Sequence, residues 1–161
     1  MENISKNISY QEATRSDTAV RYGISNSPDA TQLAAMKYTA ERVFEPLRAQ
    51  INEPVRVSSF FRAPRVNALI PGSSSTSQHL KGEAIDICRF AGSKYTNADL
   101  FWFIRDYLDF DQLIWEHGTE TEPEWVHVSL KKSGNRREVL QAYRMSGLTK
   151  YKNFLLLKKK N

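Results

Sequence analysis

The chain has 161 residues, of which 40% are hydrophobic, and this size and composition suit one soluble domain with its own core. No apolar stretch is as long as a membrane span, and the single cysteine, Cys88, excludes an intrachain disulfide and a cysteine-based zinc cluster. The net charge of +5 favours an anionic partner such as the bacterial cell wall, but no cluster of Lys and Arg with interleaved aromatic residues indicates a nucleic-acid surface.

Residues 1–26 are rich in Ser, Thr and Asn, show little periodicity and predict an arm that lies over the domain. They lack the continuous apolar stretch of a signal peptide, so we expect synthesis in the cytoplasm. A helix then begins with Ser27 as the capping residue, Pro28 in the first position and Asp29 as an early acid. Pro46 should kink or end this helix, whose core stripe has helical spacing and consists of Leu33, Met36, Ala40, Val43, Phe44 and Leu47.

The middle of the chain predicts short elements. Residues 55–58 alternate as a strand, residues 64–70 form a helical turn, and residues 71–76 form a flexible loop. Thr96 or Asn97 caps a second helix, which we expect to turn five residues toward the core, namely Leu100, Phe103, Ile104, Tyr107 and Leu108.

The second half of the chain predicts strands. Residues 110–115 form one, and residues 125–131 and 138–143 form a hairpin around a turn at residues 133–135. Helices followed by neighbouring strands with short connections favour an α+β fold, in which a small antiparallel sheet carries the site and packs against helices. We assign residues 27–145 to this domain.

The C-terminal tail, residues 146–161, is both basic and apolar. It could contact an anionic membrane or a wall polymer. Alternatively, it is a short strand or helix that packs on the domain and ends in solvated lysines. We favour this second interpretation.

A metal-binding pattern lies in residues 77–87. Its last four residues alternate as a strand does, so that Ile85 and Ile87 enter the core while Asp86 faces a cleft. His79 comes before a glycine turn and can fold back over the same spot. Nitrogen and oxygen donors of this type suit zinc.

A third donor is predicted on a second strand. In residues 125–130 the valines form one face, and His127 lies on the other. His117 lies in a predicted loop, so His127 is the better third ligand. Two histidines and one aspartate leave a fourth position for water, which is typical of a catalytic zinc site rather than a closed structural one.

These motifs resemble a known family. Ser-x-His-x-x-Gly-x-Ala-x-Asp at residues 77–86, followed by Trp-Val-His at residues 125–127, is similar to the zinc D-Ala-D-Ala carboxypeptidases, which belong to a wider group of bacterial and phage cell-wall peptidases. Residues 58–67 and 110–116 also resemble segments of that family. The similarity is collinear over residues 30–145, although Ser59 stands where the family usually has Gly.

The resemblance implies roles for further residues. Glu124, three residues before His127, would be the general base, with Glu116 as its competitor because a straight strand would point Glu124 away from the site. Arg62 would stabilise the oxyanion or the substrate carboxylate. Residues that would bind the peptide or hold the ligands in place are Ser77, Gln112 and Ser129.

The resemblance also implies a function. It predicts a monomeric zinc-dependent peptidase of peptidoglycan stem peptides, either a D-Ala-D-Ala carboxypeptidase or an L-Ala-D-Glu endopeptidase. Such a protein could be a phage or prophage lysis protein that acts at the wall after release from the cytoplasm. Two other classes stay open, namely a non-catalytic zinc-binding cell-wall module and a nucleic-acid-binding accessory protein.

Overall fold

A six-stranded sheet in the order β1-β2-β4-β3-β5-β6 forms the centre of the computed structural model, which describes residues 2–154. All neighbouring strands are antiparallel except β3 and β5, which are parallel. The predicted α+β class is therefore confirmed. The strands are β1 Val55–Ser59, β2 Ala84–Arg89, β3 Gln112–Glu116, β4 Trp125–Ser129, β5 Glu138–Met145 and β6 Leu148–Asn153.

Six α-helices surround this sheet, and within residues 2–154 none of them is both long and apolar enough to span a bilayer. A π-helical turn, Ala40–Phe44, lies between the third and fourth helices, and a 3₁₀ turn, Gln78–Lys81, precedes β2. The helices are α1 Tyr10–Thr14, α2 Asp17–Tyr22, α3 Ala30–Thr39, α4 Glu45–Ile51, α5 Pro64–Ala68 and α6 Asn97–Tyr107.

The N-terminal segment, which the sequence predicted as an arm, contains α1 and α2. Ser9 and Ser16 cap these two helices, because each side chain accepts a backbone N–H in the first turn. Before them, Ile4 and Ile8 are buried in the core at 2% and 0% exposure. Much of the segment is therefore integral to the hydrophobic core.

The first long helix differs from the prediction at its start. Its N-cap is Asp29 rather than Ser27, because Asp29 and Gln32 form a reciprocal capping box. At Pro46, where a kink or an end was predicted, the helical path continues, but the regular α-helix is interrupted directly before it by the π turn. A proline cannot donate to the carbonyl four residues earlier and its ring clashes with that group. The wider π turn before it accommodates this, with the Glu45 N–H donating to the Ala40 carbonyl.

Helix α6 begins where predicted, with Thr96 as its N-cap. Its buried face differs from the prediction, because Phe101 is fully buried whereas Tyr107 is 75% exposed. Tyr107 is the last residue of α6, where the predicted apolar face no longer points to the core. On β2, Cys88 is a free, half-buried thiol whose pKa is raised by burial.

The predicted hairpin of β4 and β5 is wrong, because β3 lies between these two strands. Both edges of β4 are already paired, one with β2 and the other with β3. The connection therefore crosses to the free edge of β3, where the Glu138 N–H donates to the Asp111 carbonyl over 2.9 Å.

The tail includes β6, which pairs antiparallel with β5. After it, Phe154 packs against three aromatic rings of α6 and β3 at centroid distances of 5.0–5.5 Å, namely Phe101, Trp102 and Trp115. The predicted solvated lysine end lies outside the described residues.

Candidate metal centre and active-site cleft

The cluster of candidate ligands lies across the middle of the sheet. Asp86 on β2 is directly opposite His127 on β4, and His127 is opposite Ile114 on β3. Side chains of directly paired residues point to the same face of a sheet. Asp86 and His127 therefore both face the cleft, while the alternate residues Ile85 and Ile87 are fully buried in the core.

His79 reaches the same point from the 3₁₀ turn. Gly82 ends this turn at φ +71°, and a Cβ at that position would lie 2.5 Å from the Gln32 carbonyl oxygen. Gln32 also donates to the Leu80 carbonyl over 3.0 Å, so α3 supports the turn directly. The glycine in the motif is thus required by the close approach of α3, and it lets the chain present His79 to β2 and β4.

The three donor atoms converge. His79 Nε2 lies 3.2 Å from Asp86 Oδ1 and 3.2 Å from His127 Nδ1, and the latter lies 2.8 Å from Asp86 Oδ1. Nitrogen and oxygen ligands at about 2.0–2.1 Å from a tetrahedral ion lie roughly 3.3 Å apart. The His79–Asp86–His127 cluster, hereafter the metal cluster, therefore fits a single divalent ion.

The surroundings favour the protonation states that metal ligands need. His79 Nδ1 lies 2.6 Å from the Phe60 carbonyl oxygen, to which it donates, and this leaves Nε2 with its lone pair directed at the cluster. Burial lowers the pKa of His79, so its ring stays neutral. Burial alone would raise the pKa of Asp86, but the two neighbouring imidazoles lower it below its usual range, so Asp86 is a carboxylate.

A family model described as Peptidase M15 matches residues 6–129, which include the whole metal cluster. The chain belongs to the Peptidase M15 family. M15 peptidases are metal-dependent, so the resemblance based on residues 77–86 and 125–127 is confirmed. No curated protein matches the chain.

The metal cluster lies in a cleft of about 710 Å³, hereafter the M15 cleft. Arg62 also lines this cleft, beside the metal cluster. Arg62 Nη2 lies 3.6 Å from Asp86 Oδ2, and the Arg62 side chain is only 16% exposed. Its Nε is buried without a hydrogen-bond partner among the described residues. The guanidinium therefore has donor capacity left for a ligand.

The two candidate bases, Glu116 and Glu124, have different surroundings. Glu116 lies on the cleft face of β3 and is 6% exposed. Burial raises its pKa to about 7, and the neighbouring charges of His127 and Asp86 act in opposite directions. Glu124 does not line the cleft. Its side chain is 48% exposed, and its Oε2 lies 3.9 Å from Arg144 Nη2.

Of the other three predicted site residues, two line the M15 cleft and one is buried beneath it. Ser77 and Gln112 line the cleft. Ser129 is completely buried, and its hydroxyl accepts the Gln112 N–H over 3.1 Å. Ser129 thus joins β4 to the start of β3 and, although it shares the sheet face of His127, it is covered and does not line the cleft.

His117 and Tyr151 are among the cleft residues that sequence reasoning did not place there. His117 was assigned to a loop, which is correct, but its side chain turns back into the cleft beside Glu116, with 3.9 Å between His117 Nε2 and Glu116 Oε2. It has a φ of +52°, an unusual backbone conformation for a non-glycine residue. Tyr151 comes from β6, in a segment that the sequence presented only as a basic and apolar tail.

Proposed function

We propose that this M15 peptidase is a zinc-dependent hydrolase of peptidoglycan stem peptides. The observation that carries the proposal is the convergence of three donor atoms in an open cleft that also contains a buried acid and a buried arginine. Two imidazole nitrogens and one carboxylate oxygen match the ligand chemistry of zinc. Zinc bound there would supply Lewis-acid activation for amide hydrolysis.

Glu116 is our candidate for the general base. Its carboxylate faces the cleft on the same side of the sheet as His127, and its pKa of about 7 is close to neutral pH. A base of that pKa can take a proton from the attacking water and return it to the leaving amine. This assignment replaces Glu124, which lies at the exposed rim beside Arg144.

Arg62 is our candidate for stabilising negative charge that develops on the scissile carbonyl. The guanidinium is held beside Asp86 and keeps an unpaired buried Nε. A positioned donor of this kind stabilises a transition state at no cost in reorganisation. Arg62 could instead bind the substrate carboxylate, and the kinetics of Arg62→Lys separate the two roles, since a transition-state role lowers kcat whereas uniform binding raises KM.

The choice between a D-Ala-D-Ala carboxypeptidase and an L-Ala-D-Glu endopeptidase depends on the loops around the cleft. We propose a role in phage or prophage lysis, for which the net charge of +5 is suited to anionic wall polymers. Digestion of purified peptidoglycan, with mass spectrometry of the fragments, tests which bond is cleaved. Released D-Ala indicates the carboxypeptidase, and a new amino terminus at D-Glu indicates the endopeptidase.

The same digestion tests the proposed chemistry when it is repeated with a chelator and then with added Zn²⁺. We expect cleavage to stop on chelation and to return with zinc. If the protein binds Zn²⁺ and peptidoglycan but releases no fragment under any condition, the hydrolase is refuted and a non-catalytic wall module takes its place.

A further inference from the structure

The β5–β6 hairpin, residues 138–153, forms one wall of the cleft although it lies beyond the residues matched by the Peptidase M15 model. Leu140, Thr149 and Tyr151 of this hairpin line the same cleft as the metal cluster. The hairpin is therefore part of the substrate-binding surface that this chain builds outside the matched region.

Strand register brings Tyr151 into line with Glu116. Glu116 on β3 is opposite Ala142 on β5, and Ala142 is opposite Tyr151 on β6. All three side chains consequently point to the cleft face. Ala142 carries only a methyl group, so the ring of Tyr151 has a free path across it toward Glu116.

The Tyr151 hydroxyl is suited to act as a hydrogen-bond donor. Burial raises the pKa of the Tyr151 phenol, and the negative charges of Glu116 and Asp86 raise it further. The phenol therefore keeps its proton at neutral pH. Tyr151 is also 51% exposed, so the ring remains accessible from the cleft.

We propose that Tyr151 is a substrate-binding residue, whose hydroxyl donates a hydrogen bond to a carbonyl or carboxylate oxygen of a peptide lying across the Glu116 side of the cleft. This inference rests on the proposed peptidase function. Arg62 and Tyr151 line the same cleft, so a bound peptide would find a charged donor in Arg62 and a neutral donor in Tyr151.

The test compares Tyr151→Phe with Tyr143→Phe. Tyr143 is on β5 of the same hairpin but on the opposite face, where Lys152 lies over its ring, so it is a matched control. With a synthetic stem pentapeptide as substrate, we expect Tyr151→Phe to raise KM by roughly 3- to 10-fold with little change in kcat, because one neutral hydrogen bond to the bound substrate is lost. Tyr143→Phe should match the wild type within about twofold.

Several outcomes would refute the role of Tyr151 while leaving the peptidase intact. One is wild-type kinetics for Tyr151→Phe, even if Tyr151→Ala loses activity, because the ring would then act only by packing. Another is a fall in kcat with a shifted pH profile and unchanged KM, because Tyr151 would then act through Glu116 rather than on the substrate.

Binding of the uncleaved pentapeptide separates this inference from the proposed function. Calorimetry on Glu116→Gln and on the double variant Glu116→Gln/Tyr151→Phe should show roughly 3- to 10-fold weaker binding for the double variant. That result supports the Tyr151 contact even if the wild type cleaves nothing. Equal binding by the two variants, or no binding by either, refutes the contact.

Discussion

The metal cluster and the β5–β6 hairpin share one cleft but are held in opposite ways. His79, Asp86 and His127 are 1%, 9% and 8% exposed, and each is fixed by a neighbour within 3.2 Å. Along the hairpin, by contrast, every residue of β6 is exposed, including Leu148 at 60% and Tyr151 at 51%. The candidate metal ligands thus lie in the packed centre of the sheet, and the proposed substrate contact Tyr151 lies at its edge.

The difference extends to the consequences of substitution. A buried polar group that loses its partner costs free energy of folding as well as function, whereas an exposed strand residue can change with little effect on stability. Substitutions in the metal cluster should therefore remove activity altogether, and substitutions in the hairpin should adjust substrate affinity.

The largest expected effect comes from Asp86→Asn. The amide cannot supply the anionic ligand and leaves Arg62 without its carboxylate partner. We expect loss of stoichiometric metal and a fall in peptidoglycan cleavage of about a thousandfold or more. Elemental analysis and timed digestion measure the two effects. Asp109→Asn, at a side chain that is 91% exposed, should keep both metal and activity.

If Asp86→Asn kept its metal and activity, the claim that substitutions in the metal cluster remove activity would be refuted. Another set of ligands would then hold the ion.

The second effect distinguishes the two glutamates. Glu116→Gln removes the proposed base and should lower kcat by roughly 10²- to 10⁴-fold while metal content is unchanged. Glu124→Gln changes an exposed rim residue and should stay within about threefold of the wild type. Steady-state kinetics on zinc-loaded protein measure both. The reverse ranking would return the catalytic role to Glu124.

The metal cluster could be predicted from the sequence because its signals are local. Strand alternation around Asp86 and His127 fixes which face each side chain occupies, and the glycine after His79 marks a turn. The base could not be assigned in this way. Glu116 becomes recognisable as a cleft residue only through the pairing of β3 with β4, which places it on the sheet face of Trp125 and His127.

The rest of the fold depended on contacts between distant segments. Sequence proximity suggested that β4 pairs with β5, but the edges of β4 are filled by β2 and β3, which are distant in sequence. The N-terminal helices are too short for a periodic signal, and their place is fixed by burial of Ile4 and Ile8. Tyr151 became visible only through the register that links Glu116, Ala142 and Tyr151.

A smaller effect concerns stability of the metal-free protein. The pKa of Glu116 is raised to about 7 from 4.5, so the folded state favours the protonated acid. Its contribution to stability is present below about pH 4.5 and is lost as pH rises through 7. We therefore expect Glu116→Gln to match the wild type near pH 4 and to exceed it by roughly 3 kcal/mol above pH 8.

Urea denaturation in the presence of a chelator, repeated across this pH range, measures that difference. Glu124→Gln should follow the wild-type curve throughout, since its side chain is 48% exposed. A constant offset between Glu116→Gln and the wild type at all pH values would indicate that Glu116 is ionised equally in the folded and unfolded states.

The smallest effect tests how the hairpin is attached to the centre. Asp111, directly before β3, is 1% exposed and accepts from Arg136, two residues before β5, over 2.6 Å and from Lys131 over 3.0 Å. Burial would raise the pKa of Asp111, but its hydrogen bonds with Arg136 lower the pKa below the usual range. Asp111→Asn should therefore cost on the order of 1–2 kcal/mol of stability at pH 7.

Because the folded pKa of Asp111 is depressed, its contribution is present above about pH 4 and is lost as pH falls, so the difference between Asp111→Asn and the wild type should shrink in acid. Asp109→Asn is the matched control, since Asp109 is 91% exposed and 3.4 Å from Arg137. Hydrogen exchange then locates the effect. Faster exchange in β5 and β6 with β2 and β4 unchanged means that the hairpin opens separately from the metal cluster, whereas uniform acceleration means that the two regions unfold as one unit.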